Sequence, residues 1–313
     1  SQEPHPKIMQ CFEQDDARFV SLPLEHQFPR EKEKRASYEG YIPQGILKAN
    51  WVHKHLHDIP AVLILFFEWK DGNEGEILGG IERVRAQKRN KQKLIAVLLC
   101  SAHVDHDERI SNLKKRADLD SKHLMHVNVA ELRSQMKKLE KNMHEMADHY
   151  YKDEGKRIKK HRANLNRALQ WSLVVRHHFK VAFLGESRRD MKQALKYYTQ
   201  AYTTLRDAPF PSERLAEVKA VAEVINFKLC RCLLVAGMIN EARESHRRHI
   251  SAFKKQIGDD SVAFTHYAWL ARQYHAFGSM LDALIASLPD PGTARPPGAS
   301  PNTLALVNDQ WYH

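Results

Sequence analysis

Two continuous apolar runs of strand length mark the first third of the chain, AVLILFF at 61–67 and LIAVLLC at 94–100. Such runs, without alternation, suit strands buried on both faces of a mostly parallel sheet. Between and after them the apolar positions return with helical spacing, at Ile77, Ile81 and Val84 within 76–89 and at Ile110, Leu113 and Ala117 within 107–119. A weaker strand is predicted over 124–127. Strand, helix, strand, helix, strand is the βαβ order of a small α/β layer domain, placed here at 1–130.

Beyond about residue 130 the pattern changes to helical periodicity alone. Leu132, Met136, Leu139, Met143 and Met146 open a long amphipathic stretch, and the period persists to 288. Three helical hairpins are predicted, their first helices ending at Gly185, Gly237 and Gly278, since glycine suits a left-handed C-terminal cap. Each is followed by a helix with an inward alanine and, in the first two, an aromatic a turn later: Ala194 with Tyr198, Ala242 with His246, then Ala283. Small residues beside large ones let helical hairpins stack, as in tetratricopeptide-like repeats, and the unequal spacing of the glycines makes the array irregular. The helix through Leu215, Val218, Ala222, Ile225, Leu229 and Cys232 also has a second apolar flank at Val221 and Val224, so it is expected between neighbours. The expected fold is an incomplete α/β layer domain followed by an all-α solenoid of irregular hairpins at 131–288, mostly α overall. The proline- and glycine-rich stretch after 288 excludes a helix, so 289–313 is assigned as linker and tail.

Composition narrows this picture. The 313 residues carry a formal charge of +11, with 42% hydrophobic and 28% charged residues, the profile of a folded chain with a polar surface. The longest apolar run, 59–67, is too short to cross a bilayer and contains Pro60. The polar start, SQEPHP, has no apolar core and no initiator Met, so no secretory signal is read there and the chain is expected to be a fragment. Cys11, Cys100, Cys230 and Cys232 stand in apolar surroundings and are expected as buried free thiols of a cytoplasmic protein.

The positive charge invites a reading as a basic membrane-surface or nucleic-acid-binding protein. Between 83 and 93 there are six basic and no acidic residues, Arg83, Arg85, Lys88, Arg89, Lys91 and Lys93, a candidate membrane-facing set. The run 131–162 instead mixes ten Lys/Arg with six Asp/Glu, as a solvated helix does. No nucleic-acid-binding motif frames either run, and no nucleic-acid partner is assigned.

Candidate chemistry is sparse. His53, His55 and His57 alternate, which would align three imidazoles on a strand, but the local pattern reads as the end of a helix approaching Pro60, where alternate residues diverge. HVDHDE at 103–108 has ligand types without a partner motif. Cys230 and Cys232, two apart on a helix, point in different directions. There is no phosphate loop, nucleophile elbow or paired-carboxylate motif, so no enzyme activity, cofactor or metal is expected. Of Tyr197 and Tyr198 one must face the core, which leaves Tyr197, beside Lys196, as the candidate for a partner. In RASYEGYIPQGILKANWVHKHL, at 35–56, Pro43 starts a predicted helix over 45–57, and Tyr38, Tyr41 and Trp51 either fix that helix to the sheet or, for the two tyrosines, present a partner surface.

That stretch also carries a resemblance. SYEGYIPQGILKANWVHKHLHDIPAVLILFFE at 37–68 resembles the start of the foie gras region of the subunit 11 family of the transport protein particle, TRAPP, a vesicle-tethering complex. VRHHFKVAFLGESRRDMKQALKYYTQAY at 175–202, INFKLCRCLL from 225, RRHISAFKKQIG from 247 and HYAWLARQYHAFGSMLDALI from 266 resemble the same family in the same order. The family begins with a further strand and helix and continues past 285 with more helices and β-sandwich domains, where this chain has its proline-rich stretch. The resemblance implies an α-solenoid scaffold on a core of small subunits, within a complex that activates a Rab-family GTPase in endoplasmic-reticulum-to-Golgi traffic and autophagy, the exchange surface lying on other subunits. It implies other TRAPP subunits as partners and a cytoplasmic location, peripheral on the Golgi or the intermediate compartment.

Overall fold

The computed structural model describes residues 21, 22, 26, 28, 41, 43–87, 92–101, 108–258 and 260–287. They fall into two compact units, one within 1–35 and 50–151, the other within 36–49 and 152–313.

The first unit is a three-stranded parallel sheet, β1 (Val62–Glu68), β2 (Lys93–Cys100) and β3 (Leu124–Asn128), in that spatial order. Register pairs Val62 with Lys93 and Ala96 with Leu124. The helices α2 (Glu74–Gln87) and α3 (Glu108–Arg116) form the crossovers that parallel neighbours require. The alternation of β2 divides the core in two. Leu94, Ala96, Leu98 and Cys100 pack with Ile77 and Ile81 of α2 and Ile110 and Leu113 of α3. Ile95 and Val97 point the other way, onto Met136, Leu139, Met143 and Met146. Those four lie on α4 (Leu132–Ala163), whose first part therefore closes the second face of the sheet, the arrangement that continuous apolar strands demand. Gly80 lets α2 come close to the sheet: a Cβ there would stand 2.9 Å from the Phe67 ring.

A short helix, α1, runs Trp51–His53 and continues as a π turn through Asp58. The predicted helix over 45–57 thus begins six residues late. Gly45 has φ of 128° and Asn50 of 59°, and two left-handed residues cannot be continued into a helix.

The second unit is helical: the end of α4, then α5 (Trp171–Ser187), α6 (Met191–Arg206), α7 (Leu215–Val235), α8 (Ile239–Phe253) and α9 (Ala263–Ala286). α5 pairs with α6 and α7 with α8, and α7 also meets α6 and α9, so the doubly apolar helix does sit between neighbours. Gly237 ends α7 as predicted, at φ 76°, with Met238 N–H donating to Leu233 O and Gly237 N–H to Leu234 O. The first hairpin turns differently. Arg189, at φ 57°, is the left-handed residue, and Gly185 lies within α5, where a Cβ would meet Ala194 N at 3.1 Å. The third predicted turn does not exist. Gly278 lies inside an unbroken α9, whose seam of His266, Trp269, Gln273, Ala276 and Met280 stays buried on both sides of it. One glycine costs a helix about 1 kcal/mol, too little to break a seam of that length.

Charged and polar side chains run through this helical core. Glu186 of α5 accepts hydrogen bonds from Tyr198 Oη at 2.7 Å, from Lys228 Nζ at 3.2 Å and from Arg231, all four residues being buried. His249, fully buried, shares Nδ1 with Tyr202 Oη at 2.8 Å and faces Gln273 Oε1 at 3.3 Å, so α6, α8 and α9 meet at one imidazole. Lys219 Nζ lies 2.7 Å from His266 Nδ1 and donates to Gln256 O at 2.6 Å.

Candidate functional site

Within the stretch 35–56, the described residues before Asn50 belong to the helical unit. Ile46 is fully buried; its N–H donates to Glu217 Oε1 at 2.6 Å, and its carbonyl accepts from Arg176 Nε at 2.9 Å. Arg176 also donates to Gly45 O. Glu217 is held in turn by a two-pronged pair with Arg214, whose guanidinium lies 5.2 Å from the Trp171 ring. Segment 43–49 is thus a strap clamped by one side chain of α5 and one of α7. Tyr41 packs on Leu165, Leu173 and Val174, also in the helical unit. This corrects the expectation that it fixes a helix to the sheet, and it leaves Tyr41 half-buried as a candidate partner residue. Tyr38 lies outside the described residues. Trp51 tilts over His55 at 4.1 Å, and His53 stacks on His57 at 4.3 Å.

Tyr197 is not the open ring that its position beside Tyr198 predicted: it is 9% exposed. The adjacent α4 covers it. Lys159 Nζ lies 4.9 Å, Arg162 Cζ 5.6 Å and Lys196 Nζ 5.9 Å from its centre, and His178 meets it edge-on at 5.9 Å. Cations stack on a tyrosine face because its quadrupole is negative there. Lys196 is exposed. Around this ring the potential is positive. Burial lowers His178 to about 4, helped by Arg162 and Arg167. Burial lowers His177 to about 3, helped by Lys180, His161, Arg176 and Arg162. Lys180 itself falls to about 7, by burial and then by Lys48, Arg176 and Arg157, with Glu154 opposing.

The basic run at 83–93 is only partly described. Lys88, Arg89 and Lys91 lie outside the described residues. Arg83 is exposed, while Arg85 is half-buried and donates to the carbonyl of Asp118, the left-handed residue that ends the turn after α3. Lys93 is half-buried at the start of β2. Cys230 and Cys232 are buried free thiols, and burial pushes Cys230 up to about 12. Among the described residues no group of three or more His, Cys, Asp or Glu is arranged to hold a metal ion, and no helix is long and apolar enough to cross a membrane.

Sequence reasoning missed the Arg176–Glu217 clamp and the cations over Tyr197. A signal existed for the first. Arg176 directly follows the apolar run LVV at 173–175 in a helix whose residues 171–179 are all buried, and a buried cation requires acceptors.

A parallel α/β unit followed by stacked helical hairpins defines a protein of the α-solenoid class. Two family models match the chain, the N-terminal domain of trafficking protein particle complex subunit 11 over 40–136 and the Foie gras liver health family 1 over 214–304. Trafficking protein particle complex subunit 11 of Gallus gallus is 35% identical over 283 residues, and those of Bos taurus and Homo sapiens are 34% identical over the same length. The alignments cover 85% of this chain and 25% of each relative, so the chain spans about a quarter of the length of the curated relatives it matches. The chain belongs to the trafficking protein particle complex subunit 11 family.

Proposed function

We propose that this chain is a non-catalytic arm of a TRAPP-type tethering complex, a surface on which other subunits of that complex are held. The observation that carries this reading is the order of the matches: the subunit 11 N-terminal domain and then the foie gras region, along one chain with the fold that both imply. On this reading the chain supports Rab-family GTPase activation only indirectly, in endoplasmic-reticulum-to-Golgi transport and autophagy, and resides in the cytoplasm at the periphery of the Golgi or the intermediate compartment. Among the described residues of the candidate partner surface, Lys196 is exposed and Tyr41 half-buried.

A pull-down with the tagged chain from cytosol tests this. TRAPP subunits are expected in the eluate; a folded sample that recovers none overturns the reading. Direct contact of Arg83 with an acidic membrane is a second, smaller proposal, motivated by its exposure on α2. If Arg83→Glu leaves binding to phosphatidylserine vesicles unchanged, that contact is ruled out.

A further inference from the structure

We propose that the basic face around Tyr197 docks an acidic segment of a partner protein, its carboxylates taking the places of solvent at Lys159, Arg162 and Lys196. This rests on the scaffold reading and adds the chemistry of one contact. Three cations stand within 6 Å of one ring centre, the farthest at 5.9 Å, and none of them has a carboxylate partner among the described residues. Lys159 donates to a neutral amide, Gln193 Oε1, at 2.9 Å. Arg162 Nη1 is buried with no hydrogen-bond partner, and so is Nδ1 of His178, a residue more than nine-tenths buried whose ring abuts Tyr197. A guanidinium with a donor left unsatisfied keeps its charge poorly compensated, and a carboxylate arriving at the exposed side of the half-buried Arg162 offsets that charge.

The layout selects the kind of anion. Lys156, Lys159 and Arg162 follow one another at three-residue steps on α4, and Lys192 and Lys196 are four apart on α6, so each set lies along one helix face. The Lys159–Gln193 hydrogen bond joins the two rows. Among the described residues, of these five cations only Lys156 makes an ion pair, with Asp153 at 3.5 Å, both exposed. Charges in two rows match carboxylates spaced along a chain, whereas a single phosphate would engage only the centre. The aromatic at that centre is buried under cations and projects nothing into a bilayer.

The test uses the full chain and a decaglutamate peptide at low ionic strength, followed by calorimetric titration and by the NMR shifts of the His178 ring. Binding is expected, with the His178 signals moving. Lys159→Glu with Lys196→Glu should weaken it at least about tenfold, and the matched reversal Lys115→Glu with Arg116→Glu on α3 should change it far less. Arg162→Gln, which keeps the stem and removes the fork, serves if the double reversal fails to fold. Equal loss in both reversals means attraction to net charge alone and overturns the proposal. So does binding to phosphatidylserine vesicles that depends on Lys159 and Lys196 when the peptide does not bind. The same two proteins separate this site from the scaffold reading. If both recover TRAPP subunits equally, the acidic contact falls and the scaffold stands. If the unaltered chain recovers none while peptide binding stays sensitive to reversal, the site stands and the scaffold falls.

Discussion

The two units of this chain solve the problem of a buried interior in opposite ways. In the α/β unit both core clusters are apolar, with Leu98, Ile95, Ile81 and Leu139 almost wholly removed from solvent. In the helical unit the carboxylate of Glu186, four cations (Arg176, Lys219, Lys228 and Arg231) and several histidines are buried with the leucines. Apolar burial is non-directional and tolerates substitutions of similar size. Buried ion pairs add little net stability, yet removing one partner leaves an uncompensated charge. The α/β unit should therefore fail by loss of volume, and the helical unit by loss of a partner.

The largest effect expected from this difference is at Glu186. Glu186→Gln removes the carboxylate that Lys228 and Arg231 share and should cost roughly 3–5 kcal/mol in urea unfolding of the helical unit. Replacing all three by apolar residues, Glu186→Leu with Lys228→Met and Arg231→Met, should restore most of the loss; failure to restore it would mean that the network carries more than charge balance. In the α/β unit the matching change is Leu98→Ala, with about 2–5 kcal/mol expected from transfer and cavity together.

Acid should separate the units next. His177, His178 and His249 are held neutral in the fold, at about 3, 4 and 4, mainly by burial. Their unfolded values lie near 6.5, so below that pH the unfolded chain takes up protons that the native chain does not. The stability they contribute is whole above pH 6.5 and drains as pH falls to about 4, by up to about 1.4 kcal/mol per pH unit for each histidine. Neither α/β core cluster contains a histidine. Hydrogen exchange at pH 7 and pH 5, read unit by unit, should show protection lost first in α5 and α8; equal loss in β2 would break the distinction.

Smaller effects are expected at the turns. Gly237→Ala forces a Cβ into φ 76° and should destabilise the second hairpin by about 1 kcal/mol, measured by thermal melting. Asp190→Ala removes the side chain that accepts from Gln193 N–H at 2.9 Å and starts α6, and should cost about as much.

Local patterns carried much of this structure. The strands at 61–67, 94–100 and 124–127 appear within a residue of their places, and α2, α3 and the start of α4 follow from apolar spacing alone. The turn at Gly237 was legible because a left-handed cap is a local requirement met by one residue. Gly278 misled for the same reason: the residue type was right for a cap, but the seam that keeps α9 continuous is made with residues of α7 and α8. Gly185 is a related case, a glycine required by the approach of Ala194 and not by its own backbone.

The candidate surface was legible only as residue types. Tyr197 was picked out because Tyr198 takes the core position, yet cover from α4, remote in sequence, decides its exposure. The strap at 43–49 depends on Arg176 and Glu217, which lie 130 and 171 residues from Ile46 in the chain. By itself the sequence determined the α/β-then-helical order, the strands and the family, because period, composition and ordered blocks are properties of neighbouring residues. Which charges are buried, what clamps the strap and which cations gather on Tyr197 were decided by tertiary structure alone. Those outcomes depend on desolvation and on long-range partners, and neither exists until the helices pack.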